Sequence, residues 1–142
     1  MNGEEEKIFL DTNILVYAYQ IDAGEKHEKA KKIVAECFEG KKEYCISNQI
    51  LAEFIFVTKY KKSLPVEESK IKETINEINK INSWKKMNYS NKTVQKALNE
   101  NGKSFWDNLI AATMKENNVY TIYTENIKDF SKISEIKAIN PL

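Results

Sequence analysis

Ile8-Phe9-Leu10-Asp11-Thr12-Asn13-Ile14-Leu15 decides the reading of this chain. Three apolar residues suit a strand buried on both faces, and they run directly into Asp-Thr-Asn, a triplet fit to start a helix. A strand that becomes a helix through one turn is the first half of a βαβ unit. The pattern recurs downstream. Tyr44-Cys45-Ile46 precedes Ser47 and Asn48, either of which can cap a helix bearing Ile50, Leu51, Phe54, Val57 and Thr58. A third strand lies in Trp84–Tyr89, weakened by the Lys85-Lys86 pair, and Ser90 then caps a helix through Leu98 that Gly102 ends. Val119–Tyr123 alternates β-branched and aromatic residues and is the clearest strand. Lys137–Ile139 is a short last strand before Pro141.

Helical stretches fill the intervals. Asp22-Ala23-Gly24 breaks the apolar run from Ile14 to Tyr19, and Glu25–Phe38 then sets Ala30, Ile33, Val34, Cys37 and Phe38 on one helical face, with Gly40 as its stop. Ser63-Leu64-Pro65 punctuates, and Ile71, Ile75, Ile78 and Ile81 recur on a helical period. Ser104 opens a helix with Phe105, Leu109, Ala112 and Met114 inward. Alternating strands and helices predict an α/β chain with helices on both faces of a central parallel sheet, a three-layer α/β/α sandwich. Residues 1–142 show neither repeat nor linker and read as one domain. No apolar run reaches membrane-spanning length, and the acidic start lacks the basic flank of a signal peptide, so the expected location is the cytoplasm.

Composition narrows the chemistry. All 22 basic residues are Lys, which excludes an arginine finger from this chain. Cys37 and Cys45 lack any Cys-x-x-Cys or Cys/His spacing and read as small buried hydrophobes. His27, the only histidine, is expected on a solvated Lys/Glu-rich helix face, which disfavours zinc or a Ser/His/Asp triad. Charge is uneven: residues 1–53 carry net −4, residues 54–103 net +6 and residues 104–142 net −1. A basic middle third suggests a polyanion-facing surface, with Lys59, Lys61 and Lys62 as the foremost phosphate contacts. Lys85 and Lys86 lie between Trp84 and Tyr89, rings that base stacking would use, although these two and Phe105 and Trp106 are mostly core candidates.

Four acidic residues stand out. Asp11 follows the first strand, Glu53 lies in the helix after the second, Asp107 sits in S-F-W-D-N-L-I-A-A, and Asp129 follows the Val119–Tyr123 strand. Each has a structural job available, helix capping above all. In a parallel sheet, however, residues just after the strands gather at one edge, where ligands bind. Carboxylates brought together repel unless a cation sits among them, and oxygen-only donors suit Mg²⁺ or Mn²⁺. Such an ion activates water and neutralises charge on a phosphate oxygen, so the chemistry implied is phosphodiester hydrolysis.

At these residues the chain resembles the PIN-domain ribonucleases, most of all the VapC-type toxins of prokaryotic toxin–antitoxin pairs. The likeness rests on L-D-T-N-I-L at 10–15, A-E-F at 52–54, F-W-D-N-L-I-A-A at 105–112, T-E-N-I-K-D-F at 124–130 and the closing I-N-P-L, in that order. It implies a metal-dependent endoribonuclease with an acidic site at Asp11, Glu53, Asp107 and a fourth residue, a homodimer, and inhibition by an antitoxin protein. Many members have T-x-D at the last motif, whereas Asn126 stands there here, leaving Asp129, Asn126 and Glu125 as alternatives for the fourth position. Asp129 is the expected ligand, directly or through water, with Asn126 and Thr124 behind the ligands, Thr124 hydrogen-bonding a ligand carboxylate, and Glu125 turned elsewhere. Thr12 and Asn13 are expected to position phosphate or water. The competing readings are a PIN-type RNA-binding or assembly module with little hydrolysis, and a phosphoryl-group or receiver-like protein with Asp11 as nucleophile.

Overall fold

A computed structural model describes residues 6–61 and 66–142. Strands β1 (Ile8–Leu10), β2 (Tyr44–Ser47), β3 (Trp84–Met87), β4 (Thr121–Tyr123) and β5 (Lys137–Ile139) form one sheet in the order β3-β2-β1-β4-β5, and all four pairings are parallel. Helices α1 (Thr12–Tyr17), α2 (Glu25–Phe38), α3 (Asn48–Ile55), α4 (Glu68–Lys80), α5 (Asn91–Ala97), α6 (Phe105–Glu116) and α7 (Ile127–Phe130) complete a three-layer α/β/α sandwich. The first strands are short apolar runs because both faces are covered: Phe9 and Leu10 are fully buried, and all four residues of β2 are buried. Trp84, Phe54, Ile78, Met114 and Phe130 fill the core, where Phe38 meets Trp84 edge to face at 5.2 Å.

The sheet grows outward from β1 in both directions, to β2 and β3 on one side and to β4 and β5 on the other. The topological switch point therefore lies between β1 and β4, and the crevice beyond their carboxyl ends is the natural ligand position. Leu10 pairs with Tyr123 there, and the Asp11 backbone N–H continues the ladder to the Tyr123 carbonyl at 3.0 Å.

Several sequence expectations need correction. β4 begins at Thr121 rather than Val119, and β3 ends at Met87 rather than Tyr89. The break at residues 22–24 is a 3₁₀ turn, Ile21–Ala23, followed by Gly24 at φ +63°. His27 is buried, because it shares the inward stripe of α2 with Ala30, Val34 and Cys37, and its Nδ1 lies 2.9 Å from the Tyr17 carbonyl. Phe105 and Trp106 are exposed, since the first turn of α6 precedes its packed part. Burial raises both Cys37 and Cys45 thiols to about 11, as fits inert core residues. The punctuating Ser63-Leu64-Pro65 and Lys62 lie outside the described residues. Among the described residues, no helix is long and apolar enough to cross a membrane.

Gly102 does not end α5, which stops at Ala97. It lies against α6 instead: its N–H donates to Asn108 Oδ1 at 2.7 Å. A Cβ at this position would meet Asn108 Oδ1 at 2.5 Å and Ile133 Cδ1 at 2.7 Å, closer than such contacts allow. Gly102→Ala should therefore destabilise the chain by about 1–3 kcal/mol, the usual cost of overpacking. An unchanged urea midpoint for that variant would show that the approach is not tight.

Candidate active site

Asp11 sits where β1 turns into α1, 8% exposed. Its carboxylate accepts from its neighbour, the Thr12 N–H, at 2.8 Å, from the Thr124 hydroxyl at 2.8 Å and from Asn13 Nδ2 at 3.3 Å. Thr124, just past β4, is fully buried, and its Oγ1 also accepts from the Asn126 N–H at 3.0 Å. Asn13 Oδ1 accepts from the Glu125 N–H at 3.1 Å. The loops after β1 and β4 are thereby stitched together by polar side chains, and Asp11 is held in one orientation.

The other carboxylates arrive on separate elements. Ser47 caps α3, and one and a half turns on, Glu53 Oε1 accepts from the Thr12 hydroxyl at 2.9 Å. Ser104 caps α6, receiving the Asp107 N–H at 3.2 Å, while its hydroxyl donates to Asp107 Oδ2 at 2.9 Å. Asp129, in α7, has Lys103 Nζ at 3.7 Å. Asp11, Glu53, Asp107 and Asp129 line one open cavity of about 490 Å³, together with Thr12, Asn13 and Asn126.

Burial and mutual charge oppose ionisation here. Desolvation raises the pKa of Asp11 against the hydrogen bonds from Thr124 and Thr12, and the charges of Asp107 and Asp129 push the same way. Glu53 is raised by burial first, with Asp11 and Asp107 adding to it against the Thr12 hydrogen bond. Asp107 is raised by burial, opposed by Ser104 and reinforced by Asp129. The donors are all oxygen, which suits a hard divalent cation such as Mg²⁺ or Mn²⁺. Among the described residues, no three His, Cys, Asp or Glu side chains close into a metal-holding group. The four carboxylates share the wall of one cavity.

Glu125 faces away from this cavity, accepting from Tyr17 Oη at 2.9 Å and pairing with Lys26 at 2.5 Å. Lys61 lines the cavity, whereas Lys59 pairs with Glu68 at 2.5 Å. Lys85 and Lys86 are not brought to it. Lys85 pairs with Glu43 at 3.3 Å, and Lys86 donates to the carbonyls of Ile78, Ile81 and Trp84. Both border a different cavity, with Lys7, Glu43 and Val119, residues that precede β1, β2 and β4. Trp84 cannot stack on a base, being 1% exposed beneath Phe38. Two residues escaped the sequence reading. Lys103 reaches Asp129 only through the tertiary fold, and Gln49 Nε2 ties α3 to α6 at the Trp106 carbonyl, 3.1 Å away.

This architecture defines a class of α/β protein: a parallel sheet with an acidic, oxygen-only site at its switch point. The PIN domain family model matches residues 8–136, which hold the whole cavity wall, and the chain belongs to the PIN domain family. No curated protein matches it by sequence. Among solved structures it is similar to the Mycobacterium tuberculosis toxin VapC20, which cleaves the sarcin–ricin loop, at 15% identity over 92% of this chain and 98% of that one, TM-score 0.63. It is also similar to Rickettsia felis VapBC2 bound to promoter DNA, at 21% identity over 94% and 97%, TM-score 0.60. A third is FitAcB of Neisseria gonorrhoeae, at 16% identity over 94% and 97%, TM-score 0.61. At such identities the shared property is the fold.

If the carboxylates repel as described, removing one charge should stabilise the metal-free chain. Glu53→Gln keeps an oxygen for the Thr12 hydroxyl, and in chelator it should melt about 2–4 °C above the wild type, the shift that ~1 kcal/mol gives a chain near this size. Glu125→Gln, which loses its ion pair with Lys26, should melt no higher than the wild type. Equal midpoints for Glu53→Gln and the wild type would contradict the electrostatic account.

Proposed function

We propose that this chain is a divalent-metal-dependent endoribonuclease that hydrolyses RNA phosphodiester bonds as the toxin of a toxin–antitoxin pair. The observation that carries the reading is the cavity lined by Asp11, Glu53, Asp107 and Asp129 from four separate elements at the switch point. Family membership supports it, and the neighbouring folds include toxins and toxin–antitoxin complexes. In this reading residues 1–142 work as one PIN unit in the cytoplasm, as a homodimer that an antitoxin protein restrains.

The four carboxylates would hold Mg²⁺ or Mn²⁺, which when bound supplies an acidified water and charge neutralisation at a phosphate oxygen. The chain's own residues do the positioning. Thr12 and Thr124 hold Asp11 in its orientation, and Thr12 couples Asp11 to Glu53 through one residue, its N–H to the former and its hydroxyl to the latter. Asn13, expected from the sequence to position phosphate or water, instead spends its amide on Asp11, Thr124 and the Glu125 N–H, whereas Asn126 presents its amide at the cavity wall, suited to a phosphate oxygen or water. Lys61 draws the polyanion toward a cavity that would otherwise repel it.

Asp11→Asn should abolish cleavage and leave the circular dichroism spectrum unchanged, because it removes a ligand charge and keeps the shape. Undiminished Mn²⁺-dependent cleavage by that variant would end the proposal. Asp129→Asn should raise the Mn²⁺ concentration needed for half-maximal cleavage by at least roughly tenfold, the scale on which even groups one shell from a metal act. Glu125→Gln should leave that concentration nearly unchanged; if it proves the more damaging substitution, Asp129 is not the fourth ligand.

A further inference from the structure

α3 does not end cleanly at Ile55. Residues Phe56–Tyr60 continue it as a π turn, a rare form enriched at functional sites, and inside it the Thr58 hydroxyl donates back to the Phe54 carbonyl at 2.7 Å. The turn buries Thr58 and leaves two aromatic rings in water: Phe56 is 57% exposed and Tyr60 63%. They lie nearly parallel, with centroids 6.5 Å apart and an interplanar angle of 23°. Lys61 Nζ stands 5.9 Å from the Phe56 centroid, and Lys59 Nζ 5.5 Å from that of Tyr60. Phe56 and Lys61 both line the acidic cavity.

Rings left in water forgo the hydrophobic gain of burial; Phe56 stands at the cavity wall, and Tyr60 stacks beside it. The occupant suited to this face offers flat apolar faces and negative charge together, because Lys61 stands over Phe56 at the cavity wall, while Lys59 beside Tyr60 is already paired with Glu68. Exposed rings alone would also suit a protein interface, but the lysines that flank these rings are depleted from the cores of such interfaces. Unpaired nucleotides fit: each brings a base to stack and a phosphate to meet an ammonium. A duplex cannot, because its base faces are already stacked.

We propose that Phe56 and Tyr60 form a base-stacking platform for unpaired nucleotides next to the phosphate held at the acidic cavity. This rests on the nuclease reading of the cavity. The two rings are positioning residues, and they contribute to binding whether or not metal is present.

The test is binding of a labelled, unstructured pyrimidine RNA to the full chain in EDTA, followed by fluorescence anisotropy. Phe56→Leu and Tyr60→Leu keep apolar bulk and remove the π face, and each should weaken binding about tenfold. Phe56→Trp should restore it. Replacing bases in the RNA by abasic sugars should weaken wild-type binding to the level of the Leu variants, whose own affinity should then fall little. Leu variants that bind as tightly as the wild type, or a wild type indifferent to abasic sites, would overturn the platform. So would Leu substitutions that convert a wild-type dimer to monomer while RNA affinity stays constant, since the face would then be a self-association surface. Cleavage that proceeds without dependence on the rings defeats this proposal alone. Ring-dependent binding by a chain that cleaves nothing when given Mn²⁺ defeats the nuclease reading alone.

Discussion

The buried carboxylate of Asp11 is the constraint on which the rest of the site depends. It caps α1, lies at the end of the central strand, and joins the loop after β1 to the loop after β4 through Thr124. Burial disfavours its charge, and three further carboxylates line the same cavity. A carboxylate kept in that position has to be held by donors, and the chain supplies them from both loops: one backbone N–H, one threonine hydroxyl and one asparagine amide. The same bonds that make the site rigid also close the carboxyl edge of the sheet.

The two halves of the electrostatic design follow. Acidic ends of the sequence supply the cavity, and the basic middle third supplies Lys61 at its wall and Lys59 nearby. Lys103, from the same basic segment, lies 3.7 Å from Asp129 and partly offsets its charge. With no arginine in the chain, every cationic contact is an ammonium, a compact point charge without the planar fork that grips a phosphate bidentately. In the proposed nuclease, orientation of the substrate would then come from other groups, and the exposed Phe56 ring is available at the cavity wall.

Much of this was legible in the sequence for physical reasons. Strands β1 and β5 and helix α2 have the predicted bounds because short apolar runs and a regular inward stripe admit few alternatives. The four acids could be grouped because parallel topology carries residues after strands to one edge. What stayed hidden depends on tertiary contacts. His27 falls on the stripe of Ala30, Val34 and Cys37, yet its polarity suggests water, and burial is settled by the Tyr17 carbonyl. The π turn leaves no mark on apolar periodicity over five residues. Phe105 and Trp106 look like core by composition, and only the place where α6 begins to pack shows that they are not. Lys85 and Lys86 share a strand with inward residues but serve Glu43 and the carbonyl end of α4.

The central claim is that these four carboxylates form a site for a divalent cation. Its most direct test is the thermal midpoint of the metal-free wild type against the same chain with Mn²⁺ at about a hundred times the dissociation constant. A ligand that binds only the folded state then adds about 2.7 kcal/mol, and the midpoint should rise by several degrees. The rise should vanish in a chain carrying Asp11→Asn and Asp107→Asn together. Identical midpoints with and without Mn²⁺ in the wild type, or an equal rise in the doubly substituted chain, would contradict the account.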